Sequence, residues 1–178
     1  MTEHTDARQP VKYTLEAQPG GPKVDPRGPR FGANITWALL LVTIFLNLIE
    51  GPAAVRETLG ARLAQPSVIL LIVIAALFAW GAFAGVERHP YGLFFKNVIR
   101  PKLGAPDHFE NPKPPTFAQL VGFVFAAVGL VLGLAGVPYG LLIPVIFAFI
   151  AAFLNGVFGY CLGCEMFLLL ARAKLVRL

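Results

Sequence analysis

The sequence predicts an all-α integral membrane protein: a four-transmembrane-helix bundle with both termini cytoplasmic, a disordered N-terminal tail, and an interfacial helix in the loop between spans two and three. Three observations predict it. Hydrophobic residues make up 56% of the 178-residue chain and charged residues only 14%, against about 25% charged in an ordinary soluble domain. No Asp, Glu, Lys, Arg or His occurs in 67–86 or in 117–160, and about 18 to 20 apolar residues suffice to cross a bilayer. The 15 Lys and Arg are also unevenly distributed, and their distribution orients the spans.

Residues 1–30 are polar and rich in Pro and Gly, without a periodic apolar face, which predicts a disordered or loosely bound cytoplasmic tail. The first apolar run begins too deep for a signal peptide and lacks a small-residue cleavage site, so the tail is expected to remain on the protein. Residues 31–172 form the membrane domain. Span one covers about 31–49 and is closed by Glu50-Gly51-Pro52. Span two covers 67–86, announced by Gln65-Pro66 and ended by Glu87-Arg88. Span three covers 117–136, and the break from Gly136 to Gly140 is long enough only for a tight turn, which predicts an antiparallel hairpin with span four. Span four covers about 141–165 within an apolar run that continues to Leu170. A helix of 30 residues would reach roughly 45 Å, against a hydrocarbon core of about 30 Å. Part of the run must therefore tilt, bend or emerge, with the far interface near Tyr160. Residues 173–178 are a basic C-terminus.

Four spans put the tail, the loop between spans two and three, and the C-terminus on one side. That side holds 13 of the 15 basic residues; only Arg56 and Arg62 fall opposite. The positive-inside rule makes it cytoplasmic. Because the basic residues flank apolar spans rather than form a stripe, the expected partner is the lipid bilayer and not nucleic acid. In the long loop, Tyr91 to Arg100 can form a short helix with Leu93, Phe94 and Val98 toward lipid and Lys96 and Arg100 toward water. Glycine pairs four apart (Gly81 and Gly85, Gly129 and Gly133, Gly159 and Gly163) read as packing positions that let helices approach closely.

The residues whose chemistry exceeds packing lie in 155–167. Both cysteines of the chain are there, Cys161 and Cys164, followed by Glu165. On a continuous helix all three share a face, and the spacing permits a disulfide. Flanking glycines permit a local break that would expose the pair, though the sequence does not show one. Glu165 is expected either as proton acceptor for a thiol or as an interfacial carboxylate that marks the span's end, with Arg172, Arg88 or Arg100 as available counter-charges. A zinc site would need further ligands, for which His89, His108 and Asp107 are on the expected side, but no second pair at ligand spacing exists, so no metal is expected. Covalent haem is not expected, because Glu165 stands where the attachment motif needs histidine. Quiet thiols packed in a helix interface remain open as a reading. Asn155 is expected to make an interhelical hydrogen bond, with Asn47 and Thr43 as partners. No cofactor motif is present, and nothing in the sequence calls for a quinone.

The stretches from Asp25 to Phe31, from His89 through Arg100-Pro-Lys-Leu-Gly104, Phe117-Ala-Gln119, and Phe158 to Met166 resemble a family of small four-span membrane proteins from actinobacteria and other bacteria whose function is unassigned. The resemblance covers about Val24 to Arg172, and Cys161-Leu-Gly-Cys-Glu165 is its most specific part. It implies a bacterial cell membrane and thiol chemistry, because members look associated with thioredoxin-like and sulfurtransferase proteins. Carried onto this chain, that makes Cys161 and Cys164 the redox pair. The expectation is a membrane thiol-disulfide or sulfur-transfer partner that uses the pair at the cytoplasmic membrane face, a thiol-disulfide oxidoreductase if the thiols react. The alternatives are a non-enzymatic accessory or assembly subunit of a larger membrane complex or homo-oligomer and, more weakly, a transporter of a small sulfur compound.

Overall fold

The computed structural model describes residues 15–17, 19–51 and 58–176. The expectations for residues 1–14, Arg56 and Arg177 lie outside the described residues.

Helix α1, Arg27–Glu50, starts where the Asp25 carboxylate accepts the Arg27 backbone N–H at 3.0 Å, and it ends at Gly51, whose φ of 77° a side chain would strain. A short α2, Leu59–Leu63, is capped by the Thr58 hydroxyl, which accepts the Ala61 N–H. Helix α3, Pro66–Ala84, has proline in its first turn, and the Ser67 N–H donates to the Glu50 carboxylate at 3.1 Å. It stops at Gly85, again at positive φ. Next comes α4, Pro90–Phe94, which continues through a π-helical turn, Phe95–Ile99, and a 3-10 turn, Arg100–Lys102. Helix α5 is Lys113–Leu134 and α6 is Leu142–Phe153; α6 continues as a π-helical turn, Leu154–Phe158. Helix α7 is Leu162–Arg172.

α1, α3 and α5 are each long and apolar enough to cross a membrane. The fourth candidate span is a broken pair: α6 with its π turn, then α7, bent by 97°. A Cβ on Gly133, near the C-terminus of α5, would lie 3.0 Å from Leu141, and one on Gly163 would lie 2.6 Å from Ala118 near its N-terminus. The segment between Leu141 and Gly163 therefore runs most of the length of α5 before it turns. α1, α3, α5 and α6 enclose one core, with Leu40, Leu71, Ile74, Ala126 and Val145 almost fully buried. Outward-facing Phe45, Ile49, Phe83, Val131 and Phe147 are exposed, a far larger apolar surface than a water-soluble fold leaves open. The protein is a multi-pass helical membrane bundle.

The start of α1, the end of α3, α4, the start of α5 and the bend before α7 meet at one end of this bundle, the basic end. There Phe31 packs on Phe94 and Phe95, and the Asp25 carboxylate takes two bonds from the Arg27 side chain, at 3.0 and 2.8 Å. Burial raises the Asp25 pKa, but the Arg27 bonds and the charges of Arg27 and Arg100 outweigh it and hold the carboxyl below its ordinary range. Residues just ahead of α1 are not loose: Val24 and Glu110 exchange backbone hydrogen bonds at 2.9 Å, and Asn111 donates to the Leu15 carbonyl. At the opposite end, the Arg62 guanidinium donates to the Leu134 carbonyl at 2.9 Å, closing the C-terminus of α5.

Two packing expectations need correction. Gly85 and Gly159 are helix ends at φ 86° and 72°, Gly85 with nothing against it and Gly159 under the Arg30 side chain, whereas Gly81, Gly129, Gly133 and Gly163 lie against neighbouring helices or the turn that leads into one. The sequence reading also passed over Gly122, whose bare face receives the Phe78 ring. In the loop helix, Leu93, Phe94 and Val98 are exposed as expected, while Phe95 is its buried anchor, 4% accessible and set against Gly28.

Candidate functional site at the helix break

The expected continuous helix through the cysteines does not form. After the π turn, Gly159 adopts a left-handed conformation that ends the helix, and the Arg30 guanidinium packs over it, about 3.0 Å from where a Cβ would be. The preceding residues explain the break: a left-handed C-terminal residue is strongly favoured as glycine, and an arginine there complements the unpaired carbonyls. Cys161 follows in an extended conformation as the N-cap of α7. Its Sγ accepts the Cys164 N–H at 3.3 Å, and its carbonyl accepts the Glu165 N–H at 3.1 Å. A sulfur thus takes the place usually held by a capping oxygen.

Cys161 and Cys164 are joined as a disulfide with α-carbons 5.2 Å apart. Their surroundings differ. Cys164 is buried, at 4% accessibility, on the face of α7 that packs against α5, where Gly163 meets Ala118 and Phe167 meets Phe117. Cys161 is half-buried and lines a cavity. Glu165 lies in the first turn of α7, where a carboxylate favours the helix dipole. None of the counter-charges considered for it forms an ion pair with it among the described residues; Arg100 instead faces Asp25 at 3.8 Å. Arg172 is in the last turn of α7, the end of the helix that favours a cation.

The cavity, about 280 Å³, lies at the basic end among α1, α3, α5, α6 and α7. Small residues make it: Ala33, Ala118, Gly122, Ala148, Ala151 and Ala152 leave room where larger side chains would meet. Its lining is mostly apolar, with two carboxamides, Gln119 and Asn155, and the sulfur of Cys161. The hydrogen bond expected of Asn155 is not made with Asn47 or Thr43. Asn47 bonds Ser67 near the opposite end, and Thr43 returns its hydroxyl to the Leu39 carbonyl. It is Asn34 that reaches across, donating to the Gly156 carbonyl exposed by the π turn. No hydrogen bond links the Gln119 or Asn155 side chain to another described residue. The signal missed in the sequence was Gln119, a polar residue inside a span that reads there as the span's polar edge.

The histidines are occupied elsewhere. His89 caps α4: its Nδ1 accepts the Tyr91 N–H at 3.2 Å, which leaves Nε2–H to donate to the Leu77 carbonyl at 3.1 Å. Burial pushes its imidazole below the ordinary value, and the bond to Leu77 opposes this in part. His108 faces Glu110 at 3.7 Å. Among the described residues, no cluster of three or more His, Cys, Asp or Glu is placed to hold a metal ion.

Fold and site together define a class: a multi-pass helical membrane protein with an oxidised Cys-x-x-Cys pair at a helix N-terminus. Within that class, the chain belongs to the DUF4395 family, described as a domain of unknown function, which matches residues 24–172. No curated protein and no solved structure matches the chain.

Proposed function

We propose that the protein is a membrane thiol-disulfide exchange partner, with Cys161 the attacking thiol and Cys164 the resolving one. The observation that carries this reading is the asymmetry of the pair: Cys161 is half-buried at the N-cap of α7, and Cys164 is buried one turn on. A helix N-terminus favours thiolate over thiol, and the Cys164 N–H stands ready to donate to it. Exchange passes through a mixed disulfide between Cys161 and the partner: Cys161 attacking a partner's disulfide, with Cys164 resolving, reduces the partner and oxidises the pair, and in the reverse direction a partner's dithiol attacking the Cys161–Cys164 bond at Cys161 is itself oxidised and leaves the pair reduced. Glu165, one turn from Cys161, is the nearby carboxylate for the proton released. The basic end is the cytoplasmic face of a bacterial membrane by the positive-inside bias, so the partner is a cytoplasmic thioredoxin-like or sulfurtransferase protein, and the exposed apolar side of α4 rests on the membrane surface.

The test is trapping in intact cells. Cys164→Ser is expected to accumulate a mixed disulfide with a soluble partner that reductant releases, and Cys161→Ser is not. In the reduced wild type, maleimide is expected to label Cys161 before Cys164, and only after the membrane is made permeable. Failure of either thiol to react short of denaturation would show the pair to be structural.

A further inference from the structure

We propose that the cavity beside Cys161 binds a lipid-soluble quinone, which takes the electrons of the Cys161–Cys164 dithiol; the proposal rests on the thiol-exchange reading above. Three observations converge on this class of ligand. The first is location. Phe147 and Met166 line the cavity and are 56% and 46% exposed, so the cavity is open where α6 and α7 meet the apolar surface of the bundle, the surface that faces lipid. Phe125 and Phe147, stacked 6.1 Å apart, flank that mouth. A ligand that enters from the bilayer rather than from water fits this approach.

The second is the lining. An apolar chamber of about 280 Å³ is enough for a substituted ring. Gln119 and Asn155 supply amide N–H donors from different helices, and neither is engaged by another described residue. Both carboxamides are half-buried, so a ligand that displaces water from them must replace its hydrogen bonds, and one with two carbonyl oxygens would do so for both. Asn155 is placed by the π turn Leu154–Phe158, a distortion of helix geometry found often at functional sites.

The third is the sulfur. A dithiol that becomes a disulfide gives up two electrons and two protons. A quinone accepts two electrons and two protons at its two oxygens and becomes a quinol. The S–S bond forms as the two S–H bonds break, and no further oxidant is needed. An acyl chain could fill the same space but would engage neither amide and accept no electrons.

Decylubiquinone, whose ring is fully substituted so that thiols do not add to it, is the probe. The full chain, purified in nanodiscs and reduced without oxygen, is expected to convert one quinone to quinol per dithiol oxidised, followed by ultraviolet absorbance and by loss of maleimide-reactive thiol. Cys161→Ser abolishes the conversion. Gln119→Leu with Asn155→Leu is expected to slow it by about tenfold, and Ala151→Phe to block it by filling the chamber. Both variants should keep the wild-type rate of exchange with a small aromatic disulfide, which also shows that they fold. If the wild type exchanges with that disulfide but no quinol forms, or if neither variant slows quinol formation, the quinone proposal is overturned and the exchange reading stands. If the thiols do not exchange even with the small disulfide, the exchange reading itself fails.

Discussion

His89 shows how one side chain at the basic end ties two helices together. It caps α4 through Nδ1 and holds the last turns of α3 through Nε2 and the Leu77 carbonyl. Both bonds use the neutral ring, and burial lowers its pKa below 6.5. A lowered pKa means that the unfolded chain binds the proton more readily. The stability that His89 contributes is therefore complete above pH 6.5 and declines as the pH falls below it. Unfolding in detergent at pH 7.5 and 5.5 is expected to show lower stability at the acid value, and His89→Asn, which keeps a capping acceptor, should flatten that difference. Asp25 acts in another window: its depressed pKa means stability held above 3.8 and lost only as pH falls through the folded value.

The spans were readable because hydropathy is a local property: an uncharged run announces itself whatever it packs against. Even the overrun of the fourth span could be derived from length alone, and the bend falls at Gly159 to Cys161, next to the expected interface at Tyr160. Its form could not be read. The left-handed turn at Gly159 is backed by Arg30, about 130 residues away in sequence, and is followed by the packing of α7 against α5, neither of which is local in sequence. The placement of Cys161 at an N-cap, instead of on a helix face, follows from that one backbone angle. The α5 to α7 contact is expected to be the sensitive one. A side chain at Gly163 would run into the Ala118 backbone, so Gly163→Leu should lift α7, raise the maleimide reactivity of Cys164 by an order of magnitude or more, and cost about 2 kcal/mol or more of stability. A milder Gly163→Ala should give a smaller change in the same direction.

For the molecule as a whole, the cavity was illegible because no element contains it. Ala33, Gly122, Ala151 and Cys161 each read as an ordinary membrane residue, and only the assembled bundle leaves space among them. The opposite end is built differently. There Arg62 binds the Leu134 carbonyl, Glu50 takes Ser67, and Asn47 joins the same serine, so α1, α2, α3 and α5 are cross-tied by polar bonds. Arg62→Ala is expected to lower stability by about 1–2 kcal/mol in a denaturant titration, while the initial alkylation rate of Cys161 stays unchanged, because the loss is far from the cavity.

The Arg62 clasp also decides where the fourth span begins. The guanidinium lies 2.6 Å from where a Cβ on Gly136 would stand, so the turn between α5 and α6, itself at a φ of 78°, is closed by a side chain borrowed from α2. One arginine from the stretch after the first span thus pins the hairpin from which α6 sets out toward the sulfur.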